Sequence, residues 1–193
     1  LIRIAMFASE SVPFDPMETA IHDTYAATHL TDERPDFNMI HEYPLDGKPP
    51  MMTHVFSSGN GDRVIAAKGA PEAILSCCEM EERTIEKILS AADDLAKEGY
   101  RILAVGESVY TGKEYPKIQQ ALKFRYLGLL AFYDPPKPNI KNVFDAFYRA
   151  GIKLKIITGD NAITTMAIAR QAGFKNAGAG INAADLNNLT NIE

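Results

Sequence analysis

Residues 51–72 read MMTHVFSSGNGDRVIAAKGAPE. Two apolar-rich stretches, Met51–Ser57 and Arg63–Lys68, flank Ser58-Gly59-Asn60-Gly61-Asp62. Asn and Gly tolerate the positive φ of tight hairpins, so the stretch predicts two paired antiparallel strands. A phosphate-binding loop is the competing reading of the glycines. It fails because no Gly-Lys-Ser/Thr ending is present and no helix opens there. After the second strand, Lys68-Gly69-Ala70-Pro71-Glu72 turns the chain into a helix, with Pro and Glu in its first turn. A plain strand-to-helix turn accounts for all of this except the lysine.

Working upstream, Asp46-Gly47 predicts a turn and Phe37–Tyr43 a strand. A helix is predicted from Met17 to about Leu30, after a loop at Ser11–Pro16. Downstream, residues 81–98 predict a helix. Ile85, Ile88, Leu89, Ala92, Leu95 and Ala96 recur at helical spacing, and Gly99 supplies the stop. Strands are expected at Arg101–Tyr110 and Phe124–Tyr133. To this point the pattern is α+β, an antiparallel sheet flanked by helices.

Asp134-Pro135-Pro136-Lys137-Pro138 then forms a stiff, extended linker, since each proline fixes its own φ and restricts the residue before it. The expected boundary lies here, with domains over residues 1–132 and 133–193. A helix at Asn139–Ala150, a short strand at Leu154–Ile157, the turn Thr158-Gly159-Asp160-Asn161 and a helix to about Ala172 follow. That order belongs to a parallel α/β sheet.

The 193 residues carry a net charge of −5, which does not ask for a nucleic-acid or anionic membrane partner. No apolar run approaches the roughly 20 residues of a membrane span, so no direct membrane insertion is expected. The start, Leu1-Ile2-Arg3-Ile4, has no signal-peptide layout and no Met, and reads as an internal boundary. The neighbours Cys77 and Cys78 bridge only with strain and read as reduced thiols. The four histidines, His22, His29, His41 and His54, show no metal-ligand spacing and no metal site is expected. Ser9, Ser11, Ser57 and Ser58 sit in no nucleophile elbow.

Two motifs carry candidate chemistry. Thr158-Gly159-Asp160-Asn161 sits at the carboxyl end of the expected strand, where open α/β sheets bind ligands. Thr158 can donate to a phosphate oxygen, Gly159 admits close approach, and a helix N-terminus favours an anion. An N-capped helix, with Asp160 or Asn161 as cap, explains the same residues. Lys68 at its turn can neutralise a phosphate or line an adenine pocket.

Together these segments resemble the large cytoplasmic loop of P-type cation-transporting ATPases, nearest to the calcium-pump-like subgroup. The resemblance rests on Asp15-Pro16-Met17-Glu18-Thr19-Ala20, Lys68-Gly69-Ala70-Pro71-Glu72 and Gly99-Tyr100-Arg101-Ile102-Leu103-Ala104. Asp134-Pro135-Pro136-Lys137 and Thr158-Gly159-Asp160-Asn161, with the helix Thr164–Ala169, complete the series in the family's order. The resemblance implies a nucleotide-binding domain, then part of an α/β haloacid-dehalogenase-like phosphorylation domain. It implies ATP as substrate, ADP as product, and Mg2+ in the intact parent. The implied partners are the remaining phosphorylation, actuator and membrane domains of an integral membrane protein, with this portion on the cytoplasmic side. By position, Glu18 meets the adenine amino group, Tyr43 stacks on the base, and Lys48 and Lys68 line the pocket. Gly69 admits the ring, Arg101 reaches the phosphates, and Leu103 packs on the base. Thr158, Gly159 and Asp160 contact the transferring phosphoryl group.

The sequence departs from the family at Gly47 and Pro49-Pro50, where an Arg/Lys/Ser-rich stretch is usual. The family's Asp-Lys-Thr-Gly, which holds the phosphorylated aspartate, and its Gly-Asp-Gly-x-Asn-Asp do not occur. The accepting aspartate is therefore expected outside this chain, and the chain alone is not expected to be catalytically competent. Two rival readings are a free-standing haloacid-dehalogenase-like phosphatase and a non-catalytic regulatory nucleotide- or protein-binding module.

Overall fold

The computed structural model describes residues 1–112 and 114–181. The elements run α1 (Ile2–Phe7), α2 (Pro16–Thr28), β1 (Phe37–Asp46), β2 (Met51–Ser58), β3 (Arg63–Gly69), α3 (Pro71–Ser76) and α4 (Glu82–Lys97). They continue with β4 (Arg101–Ser108), β5 (Phe124–Phe132), α5 (Ile140–Arg149) and α6 (Ala162–Gln171). The strands form one five-stranded sheet in the order β1-β2-β3-β4-β5. The β1–β2, β2–β3 and β3–β4 pairs are antiparallel. The chain divides into two compact units. The first is Leu1–Ala92 with Ile102–Leu130, and the second is Asp93–Arg101 with the residues from Ala131 on.

In the first unit both faces of the sheet are covered, and strand alternation sorts the side chains between them. Tyr43, Met51, Val55, Ile65 and Ala67 face Ala73, Ile74 and Cys77 at and after α3. Met52, Phe56 and Lys68 take the opposite face, where α1 and α2 lie. Phe7 of α1 meets Phe56 edge-on, with ring centroids 5.0 Å apart. The α1 helix was not legible in the opening residues, yet it buries Ile4, Ala5, Met6 and Phe7.

Local chemistry explains the helix ends. Asp15 caps α2, its Oδ1 accepting from the amides of Met17 at 2.7 Å and Glu18 at 3.0 Å. Glu18, Ile21, His22 and Tyr25 then recur at helical spacing as the buried stripe. Gly99 ends α4 at φ 95°, and the Tyr100 amide reaches back to the Leu95 carbonyl at 3.2 Å. A left-handed residue is nearly free for glycine and costly for others.

In the second unit α5 and α6 form where the sequence predicts helices. The expected strand at Leu154–Ile157 does not form; residues 152–158 carry no regular structure. A parallel strand exists only by hydrogen bonding to a neighbour. Among the described residues none pairs with this segment. Ile157, expected in a buried strand, is 97% exposed.

Candidate functional site

The expected site residues fall into separate groups. Glu18 projects from the buried stripe of α2, and Lys68 from β3 onto the same side. They meet in a buried ion pair: the Lys68 ammonium donates to Glu18 Oε1 and, at 2.8 Å, to Ser9 Oγ. Lys68 is 5% exposed and Glu18 4%. The Ser9 hydroxyl is itself fixed, donating to the Ala5 carbonyl at 2.9 Å. The Glu10 amide adds a 3.3 Å bond to Glu18 Oε1. Glu18 Oε2 is buried and has no hydrogen-bond partner among the described residues. Burial pushes the Lys68 ammonium below the ordinary lysine value of 10.5, against the opposing pull of Glu18.

Ser9 has no signature in the sequence. It lies 59 residues from Lys68 and becomes its partner only through the packing of α1 against the sheet. His22, one turn beyond Glu18, is also drawn in. Its Nδ1 lies 3.1 Å from Arg34 Nη1, so it accepts from the guanidinium. Burial first, and then the Arg34 charge, hold the His22 imidazole below the usual histidine value of 6.5.

The remaining first-unit residues are spread over both faces of the sheet and the β1–β2 turn. Tyr43 is opposite Thr53, and Thr53 is opposite Ala67, one residue from Lys68. The tyrosine ring therefore lies on the other face of the sheet. It is 7% exposed, and its hydroxyl donates to the Pro116 carbonyl at 2.6 Å. Lys48 is exposed in the β1–β2 turn. Leu103 is half-buried, two residues from Val105, the partner of Lys68, and so shares the lysine face. Gly69 pairs with Met51, and a Cβ there would lie 2.6 Å from the Met51 Cα. The glycine is thus required by β2 itself.

In the second unit Arg101 and Asp160 pair directly at 2.8 Å, both about two-fifths exposed. Asn161 caps α6, its Oδ1 accepting from the Ile163 amide at 2.8 Å. Thr158 Oγ1 accepts from the Asp160 amide at 3.0 Å, which leaves the hydroxyl proton free to donate. A side chain at Gly159 would meet nothing within 4 Å.

Cavities open in the first unit among the described residues. One of about 210 Å³ lies beside the Lys68 cluster, lined by Ser9, Ser11 and His22 among others. A wider one of about 820 Å³ is at the β2–β3 hairpin end, lined by Arg3, Glu33, Gly59 and Arg63 among others. The larger volume is remote from that cluster: Arg63 opens β3 and Lys68 lies near its far end, roughly 17 Å along the strand. The Glu18–Lys68 cluster is the candidate site, because it joins a buried ion pair to an unpartnered carboxylate oxygen.

Residues 10–139 match the family model of the P-type ATPase cytoplasmic domain N. The chain is 32% identical over 145 residues to a sodium/potassium exporting P-type ATPase of Schizosaccharomyces pombe, covering 70% of this chain and 14% of that protein. It is 30% identical over 146 residues to a calcium-transporting ATPase of Bacillus subtilis, covering 70% and 16%. It is 26% identical over 190 residues to calcium-transporting ATPase 1 of Saccharomyces cerevisiae, covering 90% and 20%. The chain thus spans 14% to 20% of the length of these relatives. With two-thirds of its length matched by that one domain, the chain belongs to the P-type ATPase family, of which residues 10–139 represent cytoplasmic domain N.

Proposed function

We propose that this chain is the ATP-binding cytoplasmic portion of a P-type cation-transporting ATPase, presenting ATP for phosphoryl transfer to an aspartate outside the chain. Residues 1–132 act as the nucleotide-binding domain, and residues 133–193 contribute part of a haloacid-dehalogenase-like phosphorylation domain. The intact parent hydrolyses ATP with Mg2+ to drive a cation across a membrane. The observation that carries this reading is the buried Glu18–Lys68 pair with its unpartnered Glu18 Oε2. A purine's exocyclic amine is a donor and fits that acceptor, while Lys68 holds positive charge beside it. Lys48, Gly69 and Leu103 line the approach in this reading. Tyr43, on the other face, supports the strand from behind in place of stacking on the base.

In the second unit, Thr158 donates its free hydroxyl proton to the transferring phosphoryl group. Gly159 leaves open space for that group, and the α6 N-terminus favours its charge. Arg101 exchanges its contact with Asp160 for one with the incoming phosphate, and the Asp160 turn faces the transferring group. Such groups act by position and charge, which is what phosphoryl transfer chiefly requires. The α5 helix supports a missing neighbour: Ile140, Val143, Phe144 and Phe147 share one face, yet α5 buries no residue. The remaining phosphorylation domain would cover it. Among the described residues no helix is long and apolar enough to cross a membrane, so the membrane domain lies elsewhere in this reading.

Titration with ADP, followed by amide chemical shifts, tests the proposal. The expected result is saturable binding in the millimolar range, weakened tenfold or more by Glu18→Gln and by Lys68→Ala. Lys123→Ala, at an exposed position, leaves it unchanged. A folded sample with no saturable response, or equal effects of all three substitutions, overturns the reading.

A further inference from the structure

The sheet face that carries Lys68 holds a second polar cluster that the nucleotide reading does not use. Glu42 of β1 and His54 of β2 are cross-strand partners in register. Their side chains therefore leave the same face as close neighbours. Glu10, between α1 and α2, reaches the same place. One ligand atom from each of Glu10, Glu42 and His54 lies within 4.8 Å of the other two. His54 is 0% exposed, and neither of its ring nitrogens has a hydrogen-bond partner among the described residues. A buried imidazole with both nitrogens unpaired costs free energy and calls for a ligand to relieve it. The acids sit further out, Glu10 half-buried and Glu42 exposed, which leaves a path from solvent.

We propose that Glu10, Glu42 and His54 form a binding site for a divalent transition-metal ion of the Zn2+ class. An imidazole nitrogen with two carboxylate oxygens is a Zn2+-type donor set, whereas Mg2+ and Ca2+ favour all-oxygen shells. Tetrahedral ligands around Zn2+ stand about 3.3 Å apart, given metal–ligand bonds of about 2.0 Å. The three atoms need only draw together by at most about 1.5 Å, which rotation of two glutamate side chains supplies. Two carboxylates balance the ion's charge, and its fourth position stays open to water. His54 binds neutral, through one lone pair. The site shares no side chain with the Glu18–Lys68 pair and stands independently of the nucleotide proposal.

The test is titration of the metal-free chain, without nucleotide, with Zn2+ by calorimetry and with Co2+ by visible absorption. One ion per chain is expected, with Co2+ d–d bands of four-coordinate intensity. Glu10→Gln and Glu42→Gln should each weaken Zn2+ binding tenfold or more, and His54→Gln should abolish the Co2+ bands. His41→Gln, on the other face, and the double variant Cys77→Ser/Cys78→Ser should bind as the parent does. Should His54→Gln fail to fold by circular dichroism, the exposed Glu42→Gln decides alone. The proposal is overturned by absence of one-to-one Zn2+ uptake, by Glu42→Gln binding like the parent, or by loss of binding in the cysteine variant.

Discussion

Lys68 shows how a buried charge pair constrains a residue. Its ammonium is withdrawn from water and held by Glu18 and Ser9. Removing one member of such a pair strands the other, at a cost of about 3–5 kcal/mol, whereas replacing both with apolar groups is often neutral or stabilising. Lys68→Met should therefore lower stability by about 3–5 kcal/mol in urea titrations, and Lys68→Met/Glu18→Leu should recover most of it. Additive losses in the double variant would show that the pair does not act as a unit. The pH dependence follows from the direction of the lysine shift. The unfolded chain binds the proton more tightly, so stability rises with pH in the interval below the ordinary value of 10.5, and Lys68→Met lacks that rise. His22 has the same sign at lower pH. Its folded-state value lies below 6.5, so the unfolded chain takes the proton first and stability falls as pH drops below that point. Protonation would also set an N–H against Arg34. His22→Gln should flatten this acid limb of a pH–stability profile; an unchanged limb would assign it to other groups.

The elements test what a short stretch of sequence dictates. Gly69 is placed by the close approach of β2, since an added Cβ would lie 2.6 Å from the Met51 Cα and 2.7 Å from the Pro50 carbonyl oxygen. Both are backbone atoms, so the strand itself must shift. Gly69→Ala should cost at least about 2 kcal/mol, while Gly159→Ala, with open space around it, should stay within about 0.5 kcal/mol. Equal effects on the thermal midpoint would refute the packing argument. Most strands and helices were legible because their signals are local: apolar stretches flanking an Asn/Gly turn in β2 and β3, helical spacing in α4, a glycine stop at Gly99. The segment 154–157 was not, because its apolar run forms a strand only beside a partner. Nor was the side on which Tyr43 falls. The β1–β2 pairing slips between Met39 and His41 and again between Tyr43 and Asp46, so counting along the chain does not give its face. The ordered motifs made Glu18 and Lys68 legible as candidate residues. Ser9 and the Glu42–His54 pairing arise from contacts between segments distant in sequence, which no local pattern encodes.

At the scale of the whole chain, the two units should respond to nucleotide differently. Lys68 already holds Glu18 Oε1 and the unpartnered Oε2 is buried, so a purine reaches Oε2 only as the arrangement around it loosens. Much of the gross interaction is spent in that exchange, and binding in the millimolar range, about −4 kcal/mol, is the expected outcome. At a free ADP concentration 100 times the dissociation constant, a two-state first unit would gain about 2.7 kcal/mol. Lower ADP saturation gives proportionately less, and the gain falls only on what unfolds together with the site. Hydrogen exchange measures this segment by segment. ADP should slow exchange in α2 and β3, which carry Glu18 and Lys68, and leave α5 unchanged, since the proposed base-binding groups all belong to the first unit. Glu18→Gln should remove the α2 effect. Protection spread evenly over both units, or confined to residues 158–171, would move the nucleotide away from the Glu18–Lys68 pair and towards the Thr158 turn.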